Sequence, residues 1–285
     1  MSYGKRITWL TDQEANVHID IQQAKRIILF DMDGTLTEPR KDFDKSLLPS
    51  LLKLSEKANI GIVTGSDIDY LKQQLGFLIN LPLLKQKIHL LPCNGTKYYA
   101  PPSVDDQHTL TSSVNMKDHL GEYEFKQIMI SLIEQQSSIN FSEIPLTGHF
   151  ISYRGSMINW CPIGRNAGDM ERKQFVQHDI STSPSYREKM IQDLQKKLHS
   201  RNVYDSITIK LGGSTSFDIY PKGWNKTYCL NHFPDWQAWF VGDRCGENGN
   251  DKEIYDLLRS NNKSFETKST HNTKEIINNK IIPQL

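Results

Sequence analysis

Hydrophobic and polar positions fall into two textures along this chain. The first is a short, unbroken apolar run that ends in small or acidic residues. It appears in RIILF (26–30) and again in IGIVTGSD (60–67). Runs of this length without alternation predict strands buried on both faces of a parallel sheet. Between them, KSLLPSLLKLSEKA (45–58) carries leucines at helical spacing. Pro49 places the start of that helix near itself, because proline is tolerated only in a first turn. After the second strand, SDIDYLKQQLG (66–76) opens on an N-cap residue, with Gly76 as the expected C-cap. Strand, loop and helix repeat in order, which predicts an α/β parallel sheet.

The second texture begins near residue 100, where APPSVDDQ (100–107) reads as a linker. GEYEFKQIMISLIEQQ (121–136) predicts an amphipathic helix. HFISYRGSMINWCPI (149–163) is strand-like, and SPSYREKMIQDLQKKLHS (183–200) is a second long helix with a serine N-cap. ITIKLGGSTSFDIYP (207–221) alternates as a strand does, with a bend at the glycine pair. These elements predict an antiparallel sheet with helices on one face. The buried-strand texture returns at AWFVGD (238–243). The chain therefore divides into a core of 1–100 and 222–285, interrupted by an inserted α+β domain over 101–221. The first ~25 residues read as a polar lead-in, and RSNNKSFETKSTHNTKEIINNK (259–280) as a locally polar stretch.

Composition narrows the function. A chain of 285 residues suits one large domain or two modest ones. The net charge of +1 offers no electrostatic case for a nucleic-acid partner. No run approaches the ~18 apolar residues that span a bilayer, so no membrane partner is expected. Cys93, Cys161, Cys229 and Cys245 lie far apart and form no CxxC pair, against a zinc site and in favour of reduced thiols in the cytoplasm.

Three of the buried strands end in DMDGT, VTGSD and VGDRCGENGND. Ligands of open α/β sheets bind at the carboxyl ends of strands, so Asp31, Asp33, Thr64 or Ser66, and Asp243 converge. Carboxylates gathered at one point repel, and a hard divalent cation such as Mg²⁺ relieves this. An aspartate can act as a nucleophile, and a second carboxyl two residues on can serve the leaving oxygen as acid and then base. Lys226 is the cation available to transferring phosphoryl oxygens. Taken singly, each residue has a plainer reading as a turn aspartate, a helix cap or a surface lysine. Their order along successive strand ends points to phosphoryl transfer. In the inserted domain, Arg154, Arg165 and Arg172 offer planar forks suited to a phosphate dianion, although each alone reads as a surface arginine. Ser216 and Asp218 share one side of a strand. Met157, Trp160 and Phe217 read as core, and GGS (212–214) is too short for a phosphate loop.

FDMDGTLTEPR, GSDIDYLKQQLG, YRGSMINWCPIGRNAGDMERKQF, GGSTSFDIYPKGWNKTYCL and GDRCGENGNDKEIYD resemble the haloacid dehalogenase superfamily. More narrowly, they resemble the eukaryotic-type α-phosphomannomutases. The match runs from about residue 25 onward, and the spacer between Gly242-Asp243 and Asn250-Asp251 is like that of the mutases. The resemblance implies a Rossmann-like core with an inserted cap. It makes Asp31 the nucleophile and Asp33 the acid/base. It implies Mg²⁺ held by Asp31, the Asp33 carbonyl and Asp243, with Asn250 and Asp251 nearby. Thr64, Ser66 and Lys226 would bind the transferring phosphate. Arg40, Arg154, Arg165, Arg172, Ser216 and Asp218 would contact the phosphorylated hexose. It further implies interconversion of mannose 6-phosphate and mannose 1-phosphate, activation by a hexose 1,6-bisphosphate, supply of GDP-mannose synthesis, and a cytoplasmic homodimer joined through the cap. The chain departs from the family at Thr64, at RGSM (154–157), at Asn225 and at Arg244-Cys245. A hexose-phosphate phosphatase on the same scaffold is the alternative these departures keep in view. A non-catalytic phosphosugar-binding protein is the third, disfavoured by the intact acid/base set.

Overall fold

Why residues 27–30 are apolar without alternation is plain from their position. The computed structural model describes residues 25–103, 106–140 and 142–285, so the polar lead-in falls almost wholly outside the described residues. In it, β1 (Arg26–Phe30) is an interior strand of a seven-stranded sheet, with Ile27, Ile28, Leu29 and Phe30 all fully buried. The sheet also contains β2 (Asn59–Val63), β3 (Ile88–Leu91), β4 (Lys97–Ala100) and β5 (Thr109–Ser113). Two further strands return from the chain's far end, to be numbered β10 (Gln237–Gly242) and β11 (Ser264–Glu266), giving the order β11-β10-β1-β2-β3-β4-β5. The first five in that order are parallel, and β4 and β5 are added antiparallel. Side chains of β1 alternate between two cores, as the strand period requires. Ile28 and Phe30 pack with leucines of α1 (Leu48–Ser55) and α2 (Ile68–Ile79). Ile27 and Leu29 pack on the other face with Cys229 and Phe233, and with Ile254 of a helix that will be α7 (Lys252–Arg259).

Pro49 does sit in the first turn of α1. Gly76 does not end α2. The helix runs on to Ile79 with Asn80 as its C-cap, because Leu78 and Ile79 continue the buried stripe of Leu71 and Leu75. At the other end Asp67 caps it, accepting the Tyr70 N–H at 2.9 Å. Ala100 ends β4 and Thr109 opens β5, which pairs with β4, so the expected boundary at 100/101 lies inside that sheet and the crossing follows Ser113. The polar C-terminal stretch holds β11 and α8 (Thr270–Ile276). Two of its hydroxyls serve local structure, Ser269 capping α8 and Thr267 meeting Thr273 at 2.9 Å, while Thr270 donates to Asp44 at 2.7 Å and Ile276 and Ile277 supply the apolar anchor.

The inserted unit carries α3 (Met116–Leu120), α4 (Glu122–Ser137), β6 (Ile151–Tyr153), β7 (Ile158–Trp160), α5 (Asp169–Asp179), α6 (Tyr186–Ser200), β8 (Ile207–Gly212) and β9 (Ser216–Pro221). Its sheet is antiparallel throughout, in the order β6-β7-β9-β8. Ile158, Trp160, Phe217 and Ile219 join Ile128, Leu132, Phe175, Leu194 and Leu198 of the helices in a second core. The intervening residues Asn159, Ser216 and Asp218 point the other way, into the space facing the first sheet. Ser185 caps α6 as expected, in a reciprocal pair with Glu188.

Candidate active site

Asp31 follows directly on β1 and Asp243 on β10, neighbours in the sheet, so register alone brings them together. Beneath them Lys226 is 1% exposed and donates to Asp31 Oδ1 and, at 2.5 Å, to Asp251 Oδ1. Burial pulls Lys226 toward its neutral form, but the Asp251 and Asp31 charges outweigh this and its pKa is raised. The Asp31 carboxyl is pushed well up by burial, against the pull of Lys226. Asp243 is pushed up to about 6, first by burial and then by the Asp251 charge.

Oxygens of Asp31, Asp243 and Asp251 all lie within 4.8 Å of one another, facing one ammonium. Among the described residues, Asp243 Oδ1 and Asn250 Oδ1 are buried with no hydrogen-bond partner. An oxygen-only donor set with surplus negative charge and two unpartnered acceptors fits a hard divalent cation.

Asp33 stands apart from that trio. Its Oδ1 accepts the Arg40 N–H at 3.2 Å and faces the Tyr70 hydroxyl at 3.5 Å, and burial raises its pKa. Gly34, at φ +85°, makes this turn possible, since a Cβ there would collide with the Asp243 carboxylate. Thr64 is buried and its Oγ1 accepts the Ser66 N–H at 3.1 Å, so it shapes the loop after β2.

Above these groups lies a cavity of about 310 Å³ between the two sheets. Asp31, Asp33, Arg40, Thr64, Ser66, Arg154, Arg165, Arg172, Ser216, Asp218, Asp243 and Asn250 all line it, so the structure gathers nearly every residue expected at the site. Lys226 and Asp251 are not on its wall but buried under it. The three cap arginines differ in freedom. Arg154 donates to the Gly65 carbonyl at 2.6 Å, across the seam between the two units. Arg172 is tied to Ala167 O, Thr215 Oγ1 and Arg165 O at 2.7–3.0 Å. Arg165 makes one side-chain bond among the described residues, to Asn159 Oδ1 at 3.0 Å.

Tyr70, Asn159, Thr215 and Arg244 also line the cavity and were not singled out as site residues from the sequence. Asn159 had a readable signal, a lone amide between Ile158 and Trp160 on a strand. Gly212–Ser214, dismissed as a phosphate loop, forms a hairpin turn on the cavity wall.

The fold resembles that of an N-terminally truncated, IMP-bound IMP-nucleotidase from Plasmodium falciparum. The TM-score is 0.59 at 16% identity, covering 93% of this chain and 69% of that one. A likeness at that identity concerns the fold alone. The sequence relations are closer. Residues 47–282 match the family described as eukaryotic phosphomannomutase. A phosphomannomutase of Dendrobium officinale is 34% identical over 236 residues, covering 82% of this chain and 86% of the relative. One from Encephalitozoon cuniculi is 36% identical over 235 residues, covering 81% and 84%. The chain belongs to the eukaryotic phosphomannomutase family.

Proposed function

We propose that this protein interconverts mannose 6-phosphate and mannose 1-phosphate through a phosphorylated Asp31. The observation that carries this reading is one cavity with two charged poles: the Asp31/Lys226 pair at its floor and the cap arginines on its wall. A phosphatase needs the first pole only. A mutase also needs to hold the phosphate that is not reacting while the sugar turns round.

The phosphoryl group of a hexose 1,6-bisphosphate passes to an Asp31 oxygen. The P–O bond to the sugar breaks as the new one forms, and the released sugar oxygen takes a proton from Asp33. Mannose 1-phosphate then presents its free 6-hydroxyl, Asp33 removes that proton, and the phosphoryl group passes from Asp31 to this oxygen. The bisphosphate so formed turns round and returns its 1-phosphoryl group to Asp31, the freed oxygen takes a proton from Asp33, and mannose 6-phosphate leaves. Lys226 keeps Asp31 oriented and meets the charge on the transferring group. Thr64 and Ser66 shape the phosphate-side loop, and Arg40, Arg154, Arg165, Arg172, Ser216 and Asp218 hold the sugar phosphate. Mg²⁺ bound by Asp31, Asp243, Asn250 and the Asp33 carbonyl, with Asp251 behind them, would neutralise phosphoryl oxygens during transfer. The hexose 1,6-bisphosphate serves as activator. The same reading places the protein in the cytoplasm ahead of GDP-mannose synthesis, with residues 114–221 as a cap through which two copies pair. No described helix is long and apolar enough to cross a membrane.

Phosphorus NMR of mannose 1-phosphate with Mg²⁺, with and without a hexose 1,6-bisphosphate, tests this reading. Bisphosphate-stimulated appearance of mannose 6-phosphate is expected. Free mannose and inorganic phosphate as main products, at a rate indifferent to the bisphosphate, would replace it with a phosphatase.

A further inference from the structure

Asn159 sits in the middle of β7, 4% exposed, directly opposite Asp218 of β9. Its amide is used in both directions. Oδ1 accepts from Arg165 at 3.0 Å, and Nδ2 donates to Asp218 Oδ1 at 2.8 Å. This polarity is forced, because a guanidinium offers donors alone and a carboxylate acceptors alone. The amide therefore stands between a cation and an anion that already feel one another's charge. Without it, the flexible guanidinium can close on the carboxylate in a bidentate pair and turn away from the cavity. With it, both Arg165 and Asp218 remain on the cavity wall.

We propose that Asn159 is a positioning residue that keeps Arg165 and Asp218 separate, so that a ligand meets a cation for its phosphate and, beside it, an anion for a sugar hydroxyl. This rests on the phosphosugar reading above. It adds a residue for which neither motif nor composition supplied a role.

Asn159→Asp tests it. The new carboxylate locks Arg165 into an ion pair and faces Asp218 with a like charge. Titration calorimetry with mannose 1-phosphate should show Kd rising about 10-fold or more, with KM following and kcat held within about threefold. Hydrolysis of p-nitrophenyl phosphate, which carries no sugar to meet the cap, should stay within about twofold of wild type. Asn159→Ser, which keeps a small polar group, should shift Kd in the same direction by less. Kd within about twofold of wild type in both variants, or p-nitrophenyl phosphate hydrolysis falling in parallel with sugar-phosphate turnover, overturns the proposal. So does failure of both variants to fold, which would make Asn159 a folding residue. If the wild type binds mannose 1-phosphate without converting it, the mutase reading falls while the Kd comparison still decides for or against Asn159. If it does not bind at all, both fall.

Discussion

At the scale of single residues, the site is governed by one ammonium shared among carboxylates. Lys226 holds Asp31 and Asp251 at once, with Asp243 close by. Removing one partner from a buried charge set leaves the rest uncompensated, at a cost of roughly 3–5 kcal/mol. Lys226→Met should therefore lower the stability of the metal-free protein by about 3 kcal/mol or more in urea titrations, with part regained on adding Mg²⁺. Asp31→Asn removes the nucleophile and should cost at least about 10³-fold in kcat while leaving sugar-phosphate affinity nearly intact. Gly34 and Gly213 make a second contrast. Both have positive φ, at +85° and +53°, but only at Gly34 would a Cβ meet another group, the Asp243 carboxylate. Gly213→Ala should lose only about 1–2 kcal/mol for its backbone. Gly34→Ala should add loss of activity to a similar fall in stability, read from turnover and thermal melts of the two variants. At this scale the sequence was most informative. Asp31, Asp33 and Asp243 are legible because strand ends fix their position through the backbone. Tyr70 was not, because its hydroxyl meets Asp33 only through the packing of α2 on the sheet, and Asn159 showed itself only as a lone amide on a strand, without the partners that give it a place.

At the scale of elements, packing decided wherever local signals failed. Gly76 looked like a helix end, yet two further buried residues on the same stripe carried α2 past it. β5 is mostly exposed, and nothing in its composition distinguishes it from a linker until β4 supplies a partner. The β3–β4 ribbon also contains a pH-dependent feature with no counterpart in the motifs. His89 of β3 is 6% exposed, bonded through Nδ1 to the Tyr98 hydroxyl of β4 at 2.8 Å, and edge-on to Phe233 and Trp236. Burial first, and His108 second, push its pKa down to about 4. The unfolded chain takes up this proton near pH 6.5, the folded chain only near pH 4. Stability from this group is thus complete above pH 6.5 and lost as pH falls toward 4, by at most about 3 kcal/mol. His89→Gln should flatten that part of the stability profile in urea melts taken between pH 7 and pH 4. Some slope will remain, because burial also lowers the pKa of His108 and His232.

At the scale of the whole molecule, function depends on the seam between core and cap. Side-chain contacts cross it on both sides of the cavity. Arg154 reaches the Gly65 carbonyl at 2.6 Å, and Thr96 meets Ser156 at 2.6 Å. Opposite them, Arg244 reaches the Gly213 carbonyl at 2.8 Å and Lys210 pairs with Glu253 at 2.7 Å. A mutase must keep water from phosphorylated Asp31 until a sugar hydroxyl accepts the group, so a looser seam should divert turnover into hydrolysis. Arg244→Ala should raise the ratio of released phosphate to isomerised sugar by several-fold, measured by phosphorus NMR in the presence of bisphosphate. That variant alone is ambiguous, because Arg244 also lies 3.9 Å from Asp243 and its loss alters the charge at the site. Glu253→Leu removes the ambiguity: Glu253 lies on α7, outside the cavity wall, and its substitution breaks the Lys210 bridge while leaving Arg244 and Asp243 in place. If closure protects the intermediate, both variants leak phosphate, the second more weakly because a partly exposed ion pair contributes little. A leak confined to Arg244→Ala would mean that charge beside Asp243, rather than the fit of cap to core, guards the phosphorylated aspartate.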